Sequence, residues 1–319
     1  YSKGIHLNTL MKKKNESSEQ LNIQLFLLCM LAALLCRRLG KISSLRIICG
    51  MLRTMIYVGV YIGWGISIYK RVIQKSVRNV LIFIAELIIF WFVVRTTKYF
   101  FTMDNQIARY LWYSYYIPML FIPVAVLQAA FFLGKSEEYR LPKWLKGVYI
   151  PTAVLVLLVL SNDLHQLVFS FPVGSAWSDS HYTYGWGYYV VLVWEVVCAL
   201  TAFVLMIYKC RHSQKKKYLP LFGIGAAVLY SVLFISGVAW VQEIGGDITA
   251  VLCLFFVGIL ESCVRCGLIQ TNTGYDQLFE VCTLGAQITD QNYNVCYASA
   301  NAMPLSKKTM KDAEEKDVV

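Results

Sequence analysis

Charge is scarce in this 319-residue chain: Asp, Glu, Lys and Arg make up 15% of it, against about 25% in ordinary soluble proteins. A charge content this low, joined to abundant apolar residues, excludes intrinsic disorder and the usual composition of a cytosolic enzyme. Proline is limited to seven residues and histidine to four, and no Gly-X-Y period accompanies the glycines, so a collagen-like chain is excluded. An oxidised framework is also lacking. Cys29, Cys36, Cys198, Cys210 and Cys253 sit in or at the ends of apolar segments, where cysteine acts as a small hydrophobe. The loop from Ser161 to Gly185 holds no cysteine, so structural disulfides are not expected. The net charge of +11 comes without a zinc-finger, RNA-recognition or helix-turn-helix pattern, and nucleic acid is not an expected partner. What the chain does have is apolar surface: 57% hydrophobic residues, 14% aromatic, and a mean hydropathy of +0.53.

That surface is organised in runs long enough to cross a bilayer, which takes roughly 17–25 apolar residues. The candidates are Leu21–Cys36, Leu52–Tyr69, Asn79–Val94, Tyr110–Leu133, Gly147–Leu160, Gly187–Tyr208, Leu219–Val241 and Ile248–Ile269. The first and fifth are short, and tilt or local thinning would accommodate them. The expected fold is therefore an all-α polytopic membrane protein, a bundle of seven or eight transmembrane helices. Loop charge orients it, because Lys and Arg concentrate on the cytoplasmic side. No Lys or Arg occurs from Gly147 to Tyr208, whereas Lys209, Arg211, Lys215, Lys216 and Lys217 follow at once. The first stretch is thus expected outside and the second inside, with Arg265 marking the inner face again. The N-terminal end fits less well. With eight spans, Arg37, Arg38, Lys41 and Arg46 lie outside; with seven, the tail carrying Lys12–Lys14 does. Met11 followed by Lys12–Lys14 reads as a natural start, and the apolar stretch after it as an uncleaved anchor.

Three segments result: a cytoplasmic tail over 1–20, a transmembrane sensor region over 21–270, and a cytoplasmic stretch over 271–319. In the last, Tyr275–Val281 reads as a connector helix. Gly285–Ala298 reads as strand, polar turn at Asp290–Asn294, and strand, with Ile288 and Val295 flanking the turn. About fifty residues bury little core, so this stretch reads as the opening of a larger domain.

Three stretches carry a resemblance: Arg109-Tyr-Leu-Trp-Tyr-Ser-Tyr-Tyr-Ile-Pro118, Leu160-Ser-Asn-Asp-Leu-His165-Gln-Leu-Val-Phe, and the exit Gly258–Gln270. With them the chain resembles the seven-transmembrane N-terminal region of bacterial sensor histidine kinases, over about Ile107 to Ala302. The hairpin at Gly285–Ala302 is similar to the first hairpin of a PAS-type sensory domain. The resemblance implies a sensor and coupling module in the bacterial cytoplasmic membrane, with its C-terminus in the cytoplasm and its working form a homodimer. Kinase chemistry itself needs a phospho-accepting His on a dimerisation helix and a nucleotide-binding domain. None of His6, His165, His181 and His212 is followed by an acidic residue, and Gly63-x-Gly65 and Gly223-x-Gly225 lie in apolar helices. No catalytic residue, cofactor or metal site is expected in this chain.

The outer loop is the richest in candidate contacts. Asp163, His165, Trp177, Tyr184 and Trp186 combine aromatic and polar groups, which suits a small ligand or envelope stimulus; an interfacial aromatic belt is the other reading. Glu86 and Glu195 stand inside apolar helices, where a carboxylate must be protonated, paired or hydrated. Arg53 and Arg95 are candidate partners by depth, and Glu195 joins the sensing candidates. Glu261, near the inner end, is expected to snorkel. Pro118, Pro123 and Pro151 are candidate kinks, and Gly59-x-x-x-Gly63 with Gly65 is a close-approach surface, within the molecule or between copies. Cys263-Val-Arg-Cys266 is a weak metal signal without a second pair. A membrane sensor reading leads. A small transporter, which should show paired repeats with broken helices and midplane polar sites, or an integral-membrane enzyme is the alternative.

Overall fold

The computed structural model describes residues 23–100, 105–133, 135, 139–172, 182–209, 219–245, 248–265, 269, 285, 287–289, 295–298 and 302. The chain divides into two compact units, Phe26–Gln270 and a second formed by Tyr1–Leu25 with Thr271–Val319. The first unit is helical. Its elements are α1 (residues 23–39), α2 (Arg46–Arg71), α3 (Lys75–Phe100), α4 (Asn105–Tyr113), α5 (Tyr116–Phe132), α6 (Lys143–Gly147), α7 (Tyr149–Leu160), α8 (Asn162–His165), a small strand pair β1 (Phe169–Ser170) and β2 (Thr183–Tyr184), then α9 (Trp186–Lys209), α10 (Leu219–Ile235), α11 (Ala239–Gly245) and α12 (Ile248–Arg265).

Among the described residues, six helical stretches are long and apolar enough to cross a membrane: Arg46–Arg71, Lys75–Phe100, Gln106–Phe132, Lys143–Leu160, Trp186–Lys209 and Ile248–Arg265. Pro220–Phe234 is a shorter apolar helix. Large apolar side chains such as Leu28, Met55, Ile150, Leu157, Leu200 and Val204 face outward around the unit. Such a surface costs about 25 cal/mol per Å² in water and nothing comparable in hydrocarbon, so the bilayer is the solvent this fold requires. The chain is a multi-pass membrane protein.

Inside, one core joins α2, α3, α5, α9 and α12 through Tyr61, Ile68, Leu81, Ile84, Ile88, Phe92, Ala125, Met206, Cys253 and Leu260. A second packs Tyr113, Tyr116, Leu120, Val156, Val159, Phe169 and Val191. Several threonine hydroxyls bond within or between helices, whereas the buried Tyr61 hydroxyl has no hydrogen-bond partner among the described residues. Thr54 and Thr96 join α2 to α3 at 2.8 Å, and the Trp194 indole N–H of α9 donates to Thr152 of α7 at 3.1 Å. The described cysteines Cys29, Cys36, Cys49, Cys198, Cys253 and Cys263 are not joined in disulfides.

Several sequence expectations are corrected here. The seventh apolar run does not continue to Val241. It stops at Ile235, where Gly237 takes a left-handed φ of +77°, and the N–H groups of Gly237 and Val238 close onto Phe234 and Leu233. This is a Schellman end, which glycine adopts without strain. The last span is described as helix to Arg265, residues 266–268 lie outside the described residues, and Ile269 is not helical, its N–H turning back to the Cys263 carbonyl. The expected connector helix Tyr275–Val281 lies outside the described residues. Two of the three proline kinks are displaced. The fourth span breaks at Ser114–Tyr115 and the fifth at Val148, placing Pro118 and Pro151 in the first turns of α5 and α7. There their missing N–H is one the helix does not use. Pro123 alone lies deeper, inside α5. A Cβ built on Gly59 or Gly63 would meet nothing within 4 Å, so neither glycine serves close packing inside this unit.

In the second unit, β3 (Gln287–Thr289) pairs antiparallel with β4 (Val295–Ala298), with an irregular register between Ile288 and Thr289. The two strands expected around Ile288 and Val295 pair, and the expected turn at Asp290–Asn294 lies outside the described residues.

Candidate sensory site

Hydrogen bonds sort the helix ends of the first unit into two groups. At one end lie Arg71, Glu261 and Arg265, together with Gln74, whose amide donates to the Phe132 and Lys135 carbonyls. Lys209 caps α5 at this same end, its Nζ donating to the Ala130 and Phe131 carbonyls at 2.9 and 2.8 Å. The other end holds the loop after α7, the start of α9, and the contacts of Lys41 and Arg37 with Glu243 and the Gln242 carbonyl, each at 2.8 Å.

The loop end is built on Asn162, which is fully buried. Its Nδ2 donates to the Tyr113 hydroxyl at 3.2 Å and the Phe169 carbonyl at 2.8 Å, while its Oδ1 accepts from the N–H groups of Val168 and Phe169, both at 3.0 Å. One amide thus satisfies the backbone of an irregular turn lying against a membrane helix, where unpaired polar groups are costly. The turn passes through Gln166 in the left-handed region, φ 48°.

Next to it, Asp163 accepts from Arg109 Nε at 2.9 Å and Nη2 at 2.6 Å, and from the Tyr113 hydroxyl at 2.8 Å. Arg109 and Tyr113 are four residues apart on α4 and present one face to the loop, as helical spacing requires. His165 is fixed differently. Its Nδ1 accepts the Leu167 N–H at 3.0 Å, which leaves the proton on Nε2, 3.1 Å from the Leu158 carbonyl and 3.2 Å from Ser161 Oγ. Backbone groups on both sides thus fix the orientation of the ring.

Over this polar knot lies a packed set of rings. Phe169, fully buried at the centre, is 4.5 Å from Trp112, 5.4 Å from Tyr182 and 6.0 Å from Tyr188 between ring centroids. Tyr184 stacks on Tyr188 at 4.1 Å.

Of the sequence candidates, Asp163 and His165 meet in this knot and Tyr184 lies in the ring cluster. Trp186 is largely exposed at the start of α9. Trp177, His181 and Asp179 lie outside the described residues. Glu195 is apart, further along α9, with Oε1 buried and without a hydrogen-bond partner. Asp163 does not face solvent as a free contact, because Arg109 and Tyr113 occupy its oxygens. Neither Glu86 nor Glu195 pairs with Arg53 or Arg95. Among the described residues, no group of three or more His, Cys, Asp or Glu is gathered as a metal site.

At the opposite end, Glu261 does not snorkel. Arg71 grips it with two bonds, Nη1 to Oε1 at 2.8 Å and Nη2 to Oε2 at 2.7 Å. Arg265 Nε adds a bond to Oε1 at 3.0 Å, and the Trp64 indole donates to Oε2 at 3.3 Å. Four side chains from α2 and α12 thus form one cluster, with Arg71 and Glu261 mostly buried.

The family model described as the N-terminal 7TM region of histidine kinase matches residues 24–264. The chain belongs to that family. It carries the membrane sensor region of a histidine kinase, and the match runs from α1 almost to the end of α12, taking in the loop-end cluster and all of the Glu261 cluster except Arg265. No curated protein and no solved structure matches the chain. The sequence reading missed Arg109, Tyr113, Asn162, Arg71 and Trp64 as site residues of this sensor region. The signals were present: an Arg and a Tyr four apart near a span end, and an Arg closing α2 at the depth where Glu261 closes α12.

Proposed function

We propose that this histidine-kinase sensor region perceives a stimulus at its extracytoplasmic loop end, through the surface around Asp163, His165, Trp177, Tyr184 and Trp186. It passes the state of that end through the bundle to α12. The orientation puts the Glu261 end in the cytoplasm of a bacterial inner-membrane protein with seven or eight spans. The segment from Gly285 to Ala302 is the start of a PAS-like domain, and α12 is the output helix that leads toward it.

The observation that carries the reading is the bidentate Arg71–Glu261 pair. It fastens the last helix before the cytoplasmic segment to α2, at the point where a displacement of α12 would have to begin. A two-pronged pair in low dielectric has defined geometry and resists sliding. Breaking it leaves a charge uncompensated, so α12 moves between discrete positions rather than continuously. A stimulus acts by binding one of those positions better than the other.

The test places residues 1–319 ahead of an intact histidine-kinase output domain and measures phosphorylation in membrane vesicles. Glu261→Gln and Arg71→Gln should each shift basal output by at least about fivefold, the scale of ordinary allosteric coupling, and the exchanged pair Arg71→Glu with Glu261→Arg should recover part of the loss. Wild-type basal output and stimulus response in both single variants would exclude the cluster from the relay.

A further inference from the structure

Glu86 is the twelfth residue of the 26-residue helix α3. At 1.5 Å per residue its Cα lies about 16 Å from that of Lys75 and about 21 Å from that of Phe100, too deep to reach either end. The residue is exposed, on the outward face that also carries Phe83 and Phe90. Among the described residues, no side chain or backbone group forms an ion pair or hydrogen bond with it. Beside it α2 and α3 part to leave a cavity of about 260 Å³, open sideways and lined by Ile62, Gly65 and Ile66 of α2 and Ile82 and Ala85 of α3, among others, with Glu86 presenting only carbon to it. Both Gly65 and Ala85 are small there, and a Cβ on Gly65 would stand 3.7 Å from the Ala85 methyl.

An ionised carboxylate facing hydrocarbon is costly and calls for a proton or a cation. The apolar walls beside it are suited to an alkyl chain. No Lys, Arg or His lines the cavity, so a fatty acid would bring like charge to Glu86. An alcohol would donate one hydrogen bond without neutralising the group. A cation does both, through a charge-assisted bond about twice as strong as a neutral one.

We propose that this groove is a binding site, entered from within the bilayer, for a single-chain lipophilic amine: its alkyl arm lies along Ile62, Ile66 and Ile82, and its ammonium group pairs with the Glu86 carboxylate. The site is distinct from the extracytoplasmic loop and goes beyond the reading above. It does share α2 with that reading, because the helix that walls the groove ends in Arg71.

The experiment uses the full chain in phosphatidylcholine nanodiscs with a photoreactive diazirine analogue of dodecylamine, its adducts mapped by mass spectrometry. Label should concentrate in peptides spanning Ile62–Tyr69 and Ile82–Ile89. Glu86→Gln, which keeps the shape and removes the charge, should reduce that labelling by about tenfold, the worth of a hydrogen bond to a charged group. Labelling at Leu200 and Val204 on the outward face of α9 should stay unchanged and report an intact fold. Ile66→Trp, at an exposed position, should block the groove to the same extent. The dodecanol and dodecanoic acid analogues should label the groove weakly, and equally in wild type and Glu86→Gln. Amine labelling that survives Glu86→Gln, or alcohol labelling as strong as amine labelling, would overturn the assignment.

Discussion

A single amide, Asn162, closes the loop end of this sensor region. Its four hydrogen bonds reach Tyr113 on α4 and three backbone groups of the 168–169 turn. Truncation would leave the Val168 and Phe169 N–H groups buried without acceptors, at about 1–3 kcal/mol each. Asn162→Ala should therefore lower the melting temperature of the purified protein in detergent by several degrees, while Leu164→Ala, at a highly exposed neighbour, should leave it unchanged. Equal melting of Asn162→Ala and wild type would show that the turn is held by the ring cluster instead. The sequence brought attention to Asp163 because a charged residue in an outer loop reads as a contact for solvent or ligand. It passed over Asn162 because a neutral amide carries no such signal. What makes Asn162 a keystone is long-range: the distance from residue 162 to Tyr113 is set by how α4 and α7 pack, which no local pattern records.

Elements repeat the lesson with the opposite sign where the signal is local. Apolar runs, basic connections and the hairpin around Ile288 and Val295 are patterns of composition and period, and the structure forms helices and strands there. Helix ends are less readable. A proline reads as a kink at its own position, yet at Pro118 and Pro151 the break precedes it, since a first-turn proline loses no hydrogen bond. The end of α10 is decided by Gly237 inside a run that stays apolar to Val241. Close approach between elements is equally hidden. Gly185 follows β2, and a Cβ there would stand 2.0 Å from the Leu167 carbonyl oxygen, a backbone atom with no room to yield. Gly185→Ala should therefore separate β2 from β1 and disorder the Tyr184–Tyr188 stack. The result should be a drop of several degrees in melting temperature and a changed near-ultraviolet circular dichroism spectrum. Gly225→Ala, where an added Cβ meets nothing within 4 Å, is the matched control. Indistinguishable spectra for Gly185→Ala and wild type would mean that the strand pair tolerates a wider gap.

For the whole molecule the open question in the sequence was the basic connection Arg37–Arg46, which breaks the charge rule if it lies outside. In the structure Lys41 pairs with Glu243 and Arg37 with the Gln242 carbonyl, placing this connection at the same end as the loop between α10 and α12. The hydrogen bond and charge of Lys41 hold the Glu243 carboxyl below its usual range, against an opposing desolvation. The pairing is therefore complete above the ordinary carboxylate range and is lost as pH falls through the lowered value. Local acidic partners thus offset basic residues that the rule counts as inward signals. Helix polarity carries the argument to the rest: α2 runs from this end to Arg71, and α9 runs from the Thr183–Tyr184 strand to Lys209 at the Glu261 end. Lys41 and Thr183 must then share one side of the membrane, and Lys143, which opens the Lys143–Leu160 span, must lie on the other. In a background with the native cysteines replaced by alanine, Lys41→Cys and Thr183→Cys should react with a membrane-impermeant thiol reagent in intact cells. Lys143→Cys should react only after permeabilisation. Labelling of Lys41→Cys together with Lys143→Cys would reverse α2 and break the end-to-end sorting. Labelling of Lys143→Cys alone in intact cells would keep the sorting but invert the bundle, placing Glu261 outside and removing α12 as a cytoplasmic output helix.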